Sequence, residues 1–295
     1  MKRLLLFFLI TIPAVAQKSF LVKDVSTNEP IAYTAVFTEN GTFKINAELD
    51  GSFIIPNEFL HEVFVFDAVG YEPKQQLLTD IVLLEPKSEV LDEVVIVSMK
   101  QTKTLKVGQV KNSSFSYGTS AIAQTWSFGR FFPYEKSMVE TPFLKEVKFY
   151  LMSEKKESTY GIRFYETDKE GFPVKLLHDE LIVGKAKKGT KISTTDLRDY
   201  KILIPENGLL IVFEWINIKE NYYEYSYVFE GKKHLNKSYN PSLLAMPTSD
   251  YERSFIKHNI NNDEWKLMST ENTFFKERNS SKPYSIISCE LTLTN

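Results

Sequence analysis

Hydrophobic residues in this chain recur at every second position, in short runs broken by turn residues. Side chains on a β-strand point to alternate faces, so such runs predict half-buried strands. Ser19 to Val25 alternates and runs into the turn-rich patch Ser26-Thr27-Asn28-Glu29-Pro30. Ile31, Tyr33, Ala35 and Phe37 then share one face of a strand, with Ala32, Thr34, Val36 and Thr38 on the other. Asn40-Gly41 reads as a hairpin turn, and Phe43, Ile45 and Ala47 alternate with Lys44, Asn46 and Glu48 in the returning strand. Asp50-Gly51 turns the chain again, Phe53 to Ile55 resumes the sheet, and Val63 to Val69 is a further strand. Gly70 suits a backbone angle that other residues avoid, and Tyr71 turns back toward the core.

The second part continues the pattern. Phe143 to Leu151 alternates, and Gly161 to Glu166 sets Ile162 and Phe164 against Arg163 and Tyr165. Asp168-Lys169-Glu170-Gly171 is a turn. Leu181 to Val183 and Tyr200 to Ile204 read as short strands, and Pro205-Glu206-Asn207-Gly208 turns the chain into Leu209 to Ile216. Lys185, Lys187, Lys188 and Lys191, around Gly184 and Gly189, read as a solvated loop. No segment sustains a helical period. Single helical turns are expected near Asp196-Leu197-Arg198 and over Ser242 to Ala245.

The pattern therefore predicts an all-β protein. A small β-sandwich comes first and a second antiparallel β-sandwich, jelly-roll-like, follows. The expected divisions are a signal peptide over 1–16, the first sandwich over 17–97, a polar linker over 98–115 and the second sandwich over 116–295.

The order Thr27-x-Glu29-Pro30-Ile31-Ala32-Tyr33-x-x-Val36, Asp50-Gly51-x-Phe53, Gly70-Tyr71-Glu72-Pro73 and Leu91-Asp92-Glu93-Val94-Val95-Ile96-Val97 resembles the carboxypeptidase-regulatory-like domain of Bacteroidota envelope proteins. The resemblance covers residues 17 to 97 and implies a transthyretin-like seven-stranded sandwich. Where that family carries a glycine in its first strand, near Leu21, this chain has none. In TonB-dependent receptors a similar strand after this domain leads to a plug and barrel. The plug pattern is missing here, and the remaining ~195 residues are too few for a barrel of about 22 strands. The run Tyr160 to Glu166, with Gly171-Phe172-Pro173, Thr195-Asp196-Leu197 and Val212 to Ile216, resembles a β-sandwich found behind this front domain in uncharacterised Bacteroidota proteins. The family name does not carry peptidase chemistry over. Metallocarboxypeptidases need a His-x-x-Glu pair, and none of His61, His178, His234 and His258 has Glu three residues later, so no such zinc site is encoded.

Composition narrows the setting. Lys2 and Arg3, the apolar run Leu4 to Ile12 and Ala14-Val15-Ala16 read as an export signal cleaved before Gln17. The run is shorter than the ~20 residues needed to span a bilayer, and no transmembrane span is expected in the mature chain. The protein has 36 basic and 38 acidic residues and a formal charge of −2. With no basic stripe, nucleic acid is a poor partner. The single cysteine, Cys289, lies in an apparent terminal strand. It reads as a buried structural thiol rather than a nucleophile.

The candidate chemistry is sparse. Tyr223, Tyr225, Tyr227 and Phe229 share one face of Tyr222 to Phe229. Either they form an aromatic platform that stacks on sugar rings, or they pack on a neighbouring sheet, which is the commoner fate of strand aromatics. Trp126 and Trp265 have polar neighbours and join the platform as surface candidates, whereas Trp215, beside Ile211 and Phe213, reads as core. Glu214 sits on the opposite face of that strand and needs a partner if buried; Arg163 is the residue suited to pair with it. Asp50, Asp168 and Glu170 are explained by turns, and no loop has the oxygen density calcium needs. There is no nucleophile elbow, P-loop or dinucleotide fingerprint, and no cofactor is expected.

The function these readings imply is that of an exported, non-catalytic binding or adaptor protein of the cell envelope, in the periplasm or at the outer membrane. Its expected ligand is a glycan or an outer-membrane partner protein. A hydrolase, glycosidase or peptidase, with its site on the second sandwich is the alternative, and a structural spacer is another. A hydrolase requires a concave site near Glu214, Arg163, Trp126 or Trp265, and a spacer requires buried tyrosines.

Overall fold

The protein is described by a computed structural model covering residues 18–87, 99–110, 117–121, 126–248, 254–258, 265–267 and 284–295. The signal segment 1–16 and the expected strand Leu91 to Val97 lie outside the described residues. Those described build an all-β molecule of largely antiparallel sheets, with one parallel pairing between Leu21–Asp24 and Ile81–Leu84 and helix limited to short 3-10 turns.

The N-terminal strands are β1 (Ser19–Asp24), β2 (Ala35–Thr38), β3 (Lys44–Asn46), β4 (Ser52–Ile54), β5 (Val63–Asp67), β6 (Lys74–Leu77) and β7 (Ile81–Leu84). They form two sheets, ordered β4-β1-β7 and β3-β2-β5-β6. Phe20, Val22, Phe53, Val82 and Leu84 of the first sheet close against Val36, Phe64 and Phe66 of the second. The rings of Phe53 and Phe66 meet edge to face across the layers, 5.9 Å between centroids. Burying each such side chain stabilises the fold by roughly 1.5–3 kcal/mol.

The strand expected from Ile31 begins only at Ala35. Tyr33 takes a left-handed backbone angle, φ 59°, and the Thr34 hydroxyl donates to the Ile31 carbonyl at 3.1 Å, so a turn replaces the first residues of the strand. The Gly-Tyr pair behaves as its residues suggest. Gly70 has φ 82°, and the Tyr71 hydroxyl donates to Asp24 Oδ2 at 3.0 Å. The other Asp24 oxygen accepts the Ser26 and Thr27 amides. These contacts, the Thr27 amide first, hold the Asp24 carboxyl below its usual range.

The second body begins with β8 (Thr104–Gln109), β9 (Tyr117–Ala121), β10 (Trp126–Phe132) and β11 (Phe143–Thr167). It continues with β12 (Pro173–Leu176), β13 (Ile182–Asp196), β14 (Leu209–Trp215), β15 (Tyr222–Phe229) and β16 (Lys232–Thr248). It ends with β17 (Ser254–His258), β18 (Trp265–Leu267), β19 (Tyr284–Ile287) and β20 (Cys289–Thr294). All thirteen are hydrogen-bonded into one network whose main path runs β15-β16-β11-β14-β10-β17-β18.

The network folds on itself through its long strands. The register of β11 against β13 shifts between Ser153 and Glu157, and the two halves of β11 face each other across one core. Phe149 from the first half stacks edge-on against Tyr160 of the second half, 5.9 Å between centroids, and against Phe213 at 5.4 Å. The Tyr160 hydroxyl crosses the core to Ser193 Oγ, 2.8 Å away, a reach that matches the ~10 Å spacing of packed sheets. Gly184 makes room for that ring: a Cβ there would lie 2.2 Å from Tyr160 Cζ. Arg130 is buried, donating to the carbonyls of Ile287 and Cys289 at 2.9 Å each and lying over the Phe132 ring.

Several elements differ from the sequence reading. Within the stretch read as linker, β8 pairs with β20 from Thr104↔Thr294 to Gln109↔Cys289. Only Leu105 and Val107 of it pack on the core, too few apolar residues to announce a strand. Lys185, Lys187, Lys188 and Lys191 belong to β13, not to a loop; their side chains are exposed while Ile182, Gly184 and Ala186 face inward. Ser242 to Ala245 is strand rather than helix, inside β16. Tyr200 to Ile204 is not a strand; Leu203 makes a single bridge to Phe143. The short 3-10 turn falls at Arg198–Tyr200, beside the expected position. Cys289 is fully buried, and burial pushes its thiol up to about 12.

Candidate functional site

Two surfaces gather the residues singled out by the sequence. The first is the hairpin of β15 and β16. Their pairing runs without a register break from Tyr222↔Tyr239 to Phe229↔Lys232. A two-residue turn closes it at Glu230 and Gly231, with φ 49° and 75°, the backbone of a type I′ turn. Strand β9 joins β16 only from Tyr239 onward, so among the described residues the distal hairpin is a two-stranded arm standing off the body.

One face of the arm carries a ladder of rings. Tyr223 and Tyr225 stack at 5.6 Å, Tyr225 and Tyr227 follow at 6.3 Å, and Tyr227 stacks on His234 of β16 at 5.3 Å. Phe229 meets His234 edge-on. Among the described residues, no other sheet packs over these rings. Tyr225 is 38% exposed, Tyr227 46% and Phe229 58%; Tyr223, nearer the body, is half-buried. Val228 and Leu235 are exposed on the opposite face. Of the two alternatives for these tyrosines, the exposures fit the ladder left open to solvent rather than the face packed on a neighbouring sheet.

His234 is a member that reading the strand alone missed. The Glu230-Gly231 turn is the signal that would have found it, since a two-residue turn puts position 234 opposite Tyr227. The two tryptophans do not join the ladder. Trp265 lies on β18, at the far end of the strand order from β15, where it packs edge-on against Tyr165 at 5.9 Å and over Leu210 and Val212. Trp126 opens β10, and its side chain lies outside the described residues. Trp215 is buried in the core, as its neighbours implied.

The second surface is a cleft of about 620 Å³ between the N-terminal sandwich and the back of the large sheet. Asn46 holds the seam. Its amide donates to the Asn217 carbonyl at 3.0 Å, its Oδ1 accepts the Asn217 amide at 2.8 Å, and its Nδ2 donates to the Tyr33 carbonyl at 2.8 Å. The Lys219 amide donates to Glu48 Oε1 beside it, at 2.9 Å.

Arg163 of β11 and Glu214 of β14 open into this cleft. Arg163 pairs with Val212 and Gly161 with Glu214 in the ladder, which sets the two charged residues diagonally on the face away from Phe213 and Trp215. Arg163 Nε lies 2.9 Å from Glu214 Oε2, each side chain 19% exposed. The Ser127 hydroxyl donates to Glu214 Oε1 at 3.3 Å. Burial works against the guanidinium charge, but Glu214, then Tyr165 and Asp67, outweigh it and raise the Arg163 pKa. The pairing expected from sequence is therefore present. Chemically it is a fixed charge pair in a cleft, able to orient a polar ligand.

No protein-family model and no curated protein matches the chain. Among solved structures, a chain from the structure of infectious bursal disease virus Gx strain is similar at TM-score 0.20 and 11% identity, over 89% of this chain and 57% of that one. A likeness at that level carries no argument about fold or function. Among the described residues, no helix is long and apolar enough to cross a membrane.

Proposed function

We infer that the protein is a non-catalytic binding module of a bacterial cell envelope, that the aromatic arm is its recognition surface, and that its ligand is a glycan. The observation that carries this reading is the exposure of Tyr225, Tyr227 and Phe229 in one continuous ladder. Leaving large rings in water forgoes the stabilisation that burying them would bring. Stacked rings offer flat faces to the C–H faces of a sugar, and phenol hydroxyls and Asn236, which donates to Tyr225 Oη at 2.7 Å, offer polar partners around them. A spacer would have no use for such a surface. Export rests on the Lys2-Arg3 and Leu4 to Ile12 start, and the envelope setting on the carboxypeptidase-regulatory-like resemblance.

The test is a glycan array probed with the wild-type chain and with a variant carrying Tyr225→Ala and Tyr227→Ala. Binding by the wild type that the double variant loses supports the reading. An array silent for both, or binding untouched by the substitutions, removes it.

A hydrolase is the second reading, favoured by the cleft, which draws polar residues from β10, β11 and β14 around Glu214. It predicts release of sugar or peptide from a polymer, abolished by Glu214→Gln. Turnover undiminished in that variant would sink it.

A further inference from the structure

Among the described residues, the edge of β15 meets no further strand and carries few of the devices that keep sheet edges from pairing. Its eight residues include no proline and no lysine, its register on β16 has no bulge, and six of the eight are exposed. Glu224 is its one charged side chain, and that residue faces Lys237 within the hairpin. Natural edges of this length are normally blunted by charge, proline, bulges or a cover. A two-stranded ribbon is also marginal in water by itself, and gains independent stability when further strands extend it.

The turn decides which backbone groups are free. In a two-residue hairpin the closing pair, here Phe229 and Lys232, is a hydrogen-bonded pair, and bonded and non-bonded pairs then alternate along the strands. Tyr222, Glu224, Ser226 and Val228 accordingly direct their N–H and C=O groups away from β16. Among the described residues, nothing fills this ladder along the outer edge of the arm.

We propose that a second copy of this chain fills it, β15 pairing antiparallel with β15 about a two-fold axis at Ser226. Only a register joining residues of like parity keeps both ring ladders on one face and both sets of outward amides facing each other. With the axis at Ser226, Tyr225 meets the second copy's Tyr227 and Tyr223 meets its Phe229, so each ring gains an aromatic partner. Glu224 meets Val228, and no two like charges stand directly opposite. Antiparallel pairing sets the two bodies at opposite ends of a four-stranded ribbon, clear of each other. This assembly uses the strand edge rather than the ring faces, so it stands or falls apart from glycan binding. If both hold, the two ladders merge into one platform.

The experiment uses the full chain with Ser226→Cys. Cys289 is buried, so the introduced thiol is the reactive one. Facing residues in such a pair have Cα atoms about 5.5 Å apart, within the span of a disulfide. Mild oxidation is expected to yield a covalent dimer many-fold faster than for Lys188→Cys, an exposed control on β13. Sedimentation velocity is expected to show a concentration-dependent dimer in the wild type that Ser226→Pro, lacking the central amide, shifts to monomer without lowering the melting temperature. A wild type monomeric at every concentration, or Ser226→Cys cross-linking no faster than the control, overturns the proposal. Glycan binding by the monomeric Ser226→Pro variant reports on the ligand reading separately.

Discussion

Single residues carry the tightest constraints in this fold, and Tyr160 is the clearest. Its ring fills the gap between the two halves of β11, and its hydroxyl ties them together through Ser193. Gly184 lies under that ring with no room for a methyl group. Gly184→Ala should cost about 1–3 kcal/mol through overpacking, and Tyr160→Phe about 1 kcal/mol through the lost hydrogen bond; urea unfolding midpoints check both. Asp24 gives a pH signature. Its folded carboxyl titrates below the usual value because the Thr27 and Ser26 amides and the Tyr71 hydroxyl favour the charged form. A depressed pKa contributes stability that is present above the ordinary carboxylate value near 4 and lost as pH falls through the folded one. The stability difference between wild type and Asp24→Asn should therefore be widest at neutral pH and shrink below about pH 4. Arg163 and Glu214 were legible as partners because Arg163 is the one charged residue in Tyr160 to Tyr165 and Glu214 the one in β14, which leaves few other solutions.

Elements were legible where alternation was strong and hidden where it was weak. β1, β5 and β14 follow their apolar spacing. β8 and the lysine-rich middle of β13 did not announce themselves, because their strands are held by ladder hydrogen bonds rather than by many buried side chains. The turn at Tyr33 was hidden for a different reason: a left-handed tyrosine has no sequence signature, and Asn46 donates to its carbonyl from another strand. For β15 the alternation was plain and its meaning was not. The same spacing serves a packed face and a bare one, and only what lies over that face in the fold tells them apart. Since the rings of the arm contact little of the body, Tyr225→Ala and Tyr227→Ala should each change stability by no more than about 0.5 kcal/mol. Buried aromatics truncated the same way would cost about 3–5 kcal/mol, and thermal melts distinguish the two.

At the scale of the whole molecule, two cores meet along a polar seam. The seam rests on Asn46, bonded to Asn217 on one side and Tyr33 on the other. Asn46→Ala removes the side-chain bonds but leaves its own backbone amide in place. It should cost about 1–3 kcal/mol and raise hydrogen exchange at Asn217 and Lys219 while leaving the amides of β11 protected. The cleft beside Arg163 and Glu214 is a consequence of this docking and could not be read from either half alone. The arm, by contrast, belongs to one hairpin. A doubly cored body is thus separate from the proposed recognition surface, the ring face of an exposed hairpin. Hydroxyl-radical footprinting of the full chain, with and without the strongest array ligand, tests that separation most directly: oxidation should fall at Tyr223, Tyr225, Tyr227 and Phe229 and stay unchanged around the cleft. Protection at Arg163, Glu214 and their neighbours, with the ladder rings still oxidised, would contradict it.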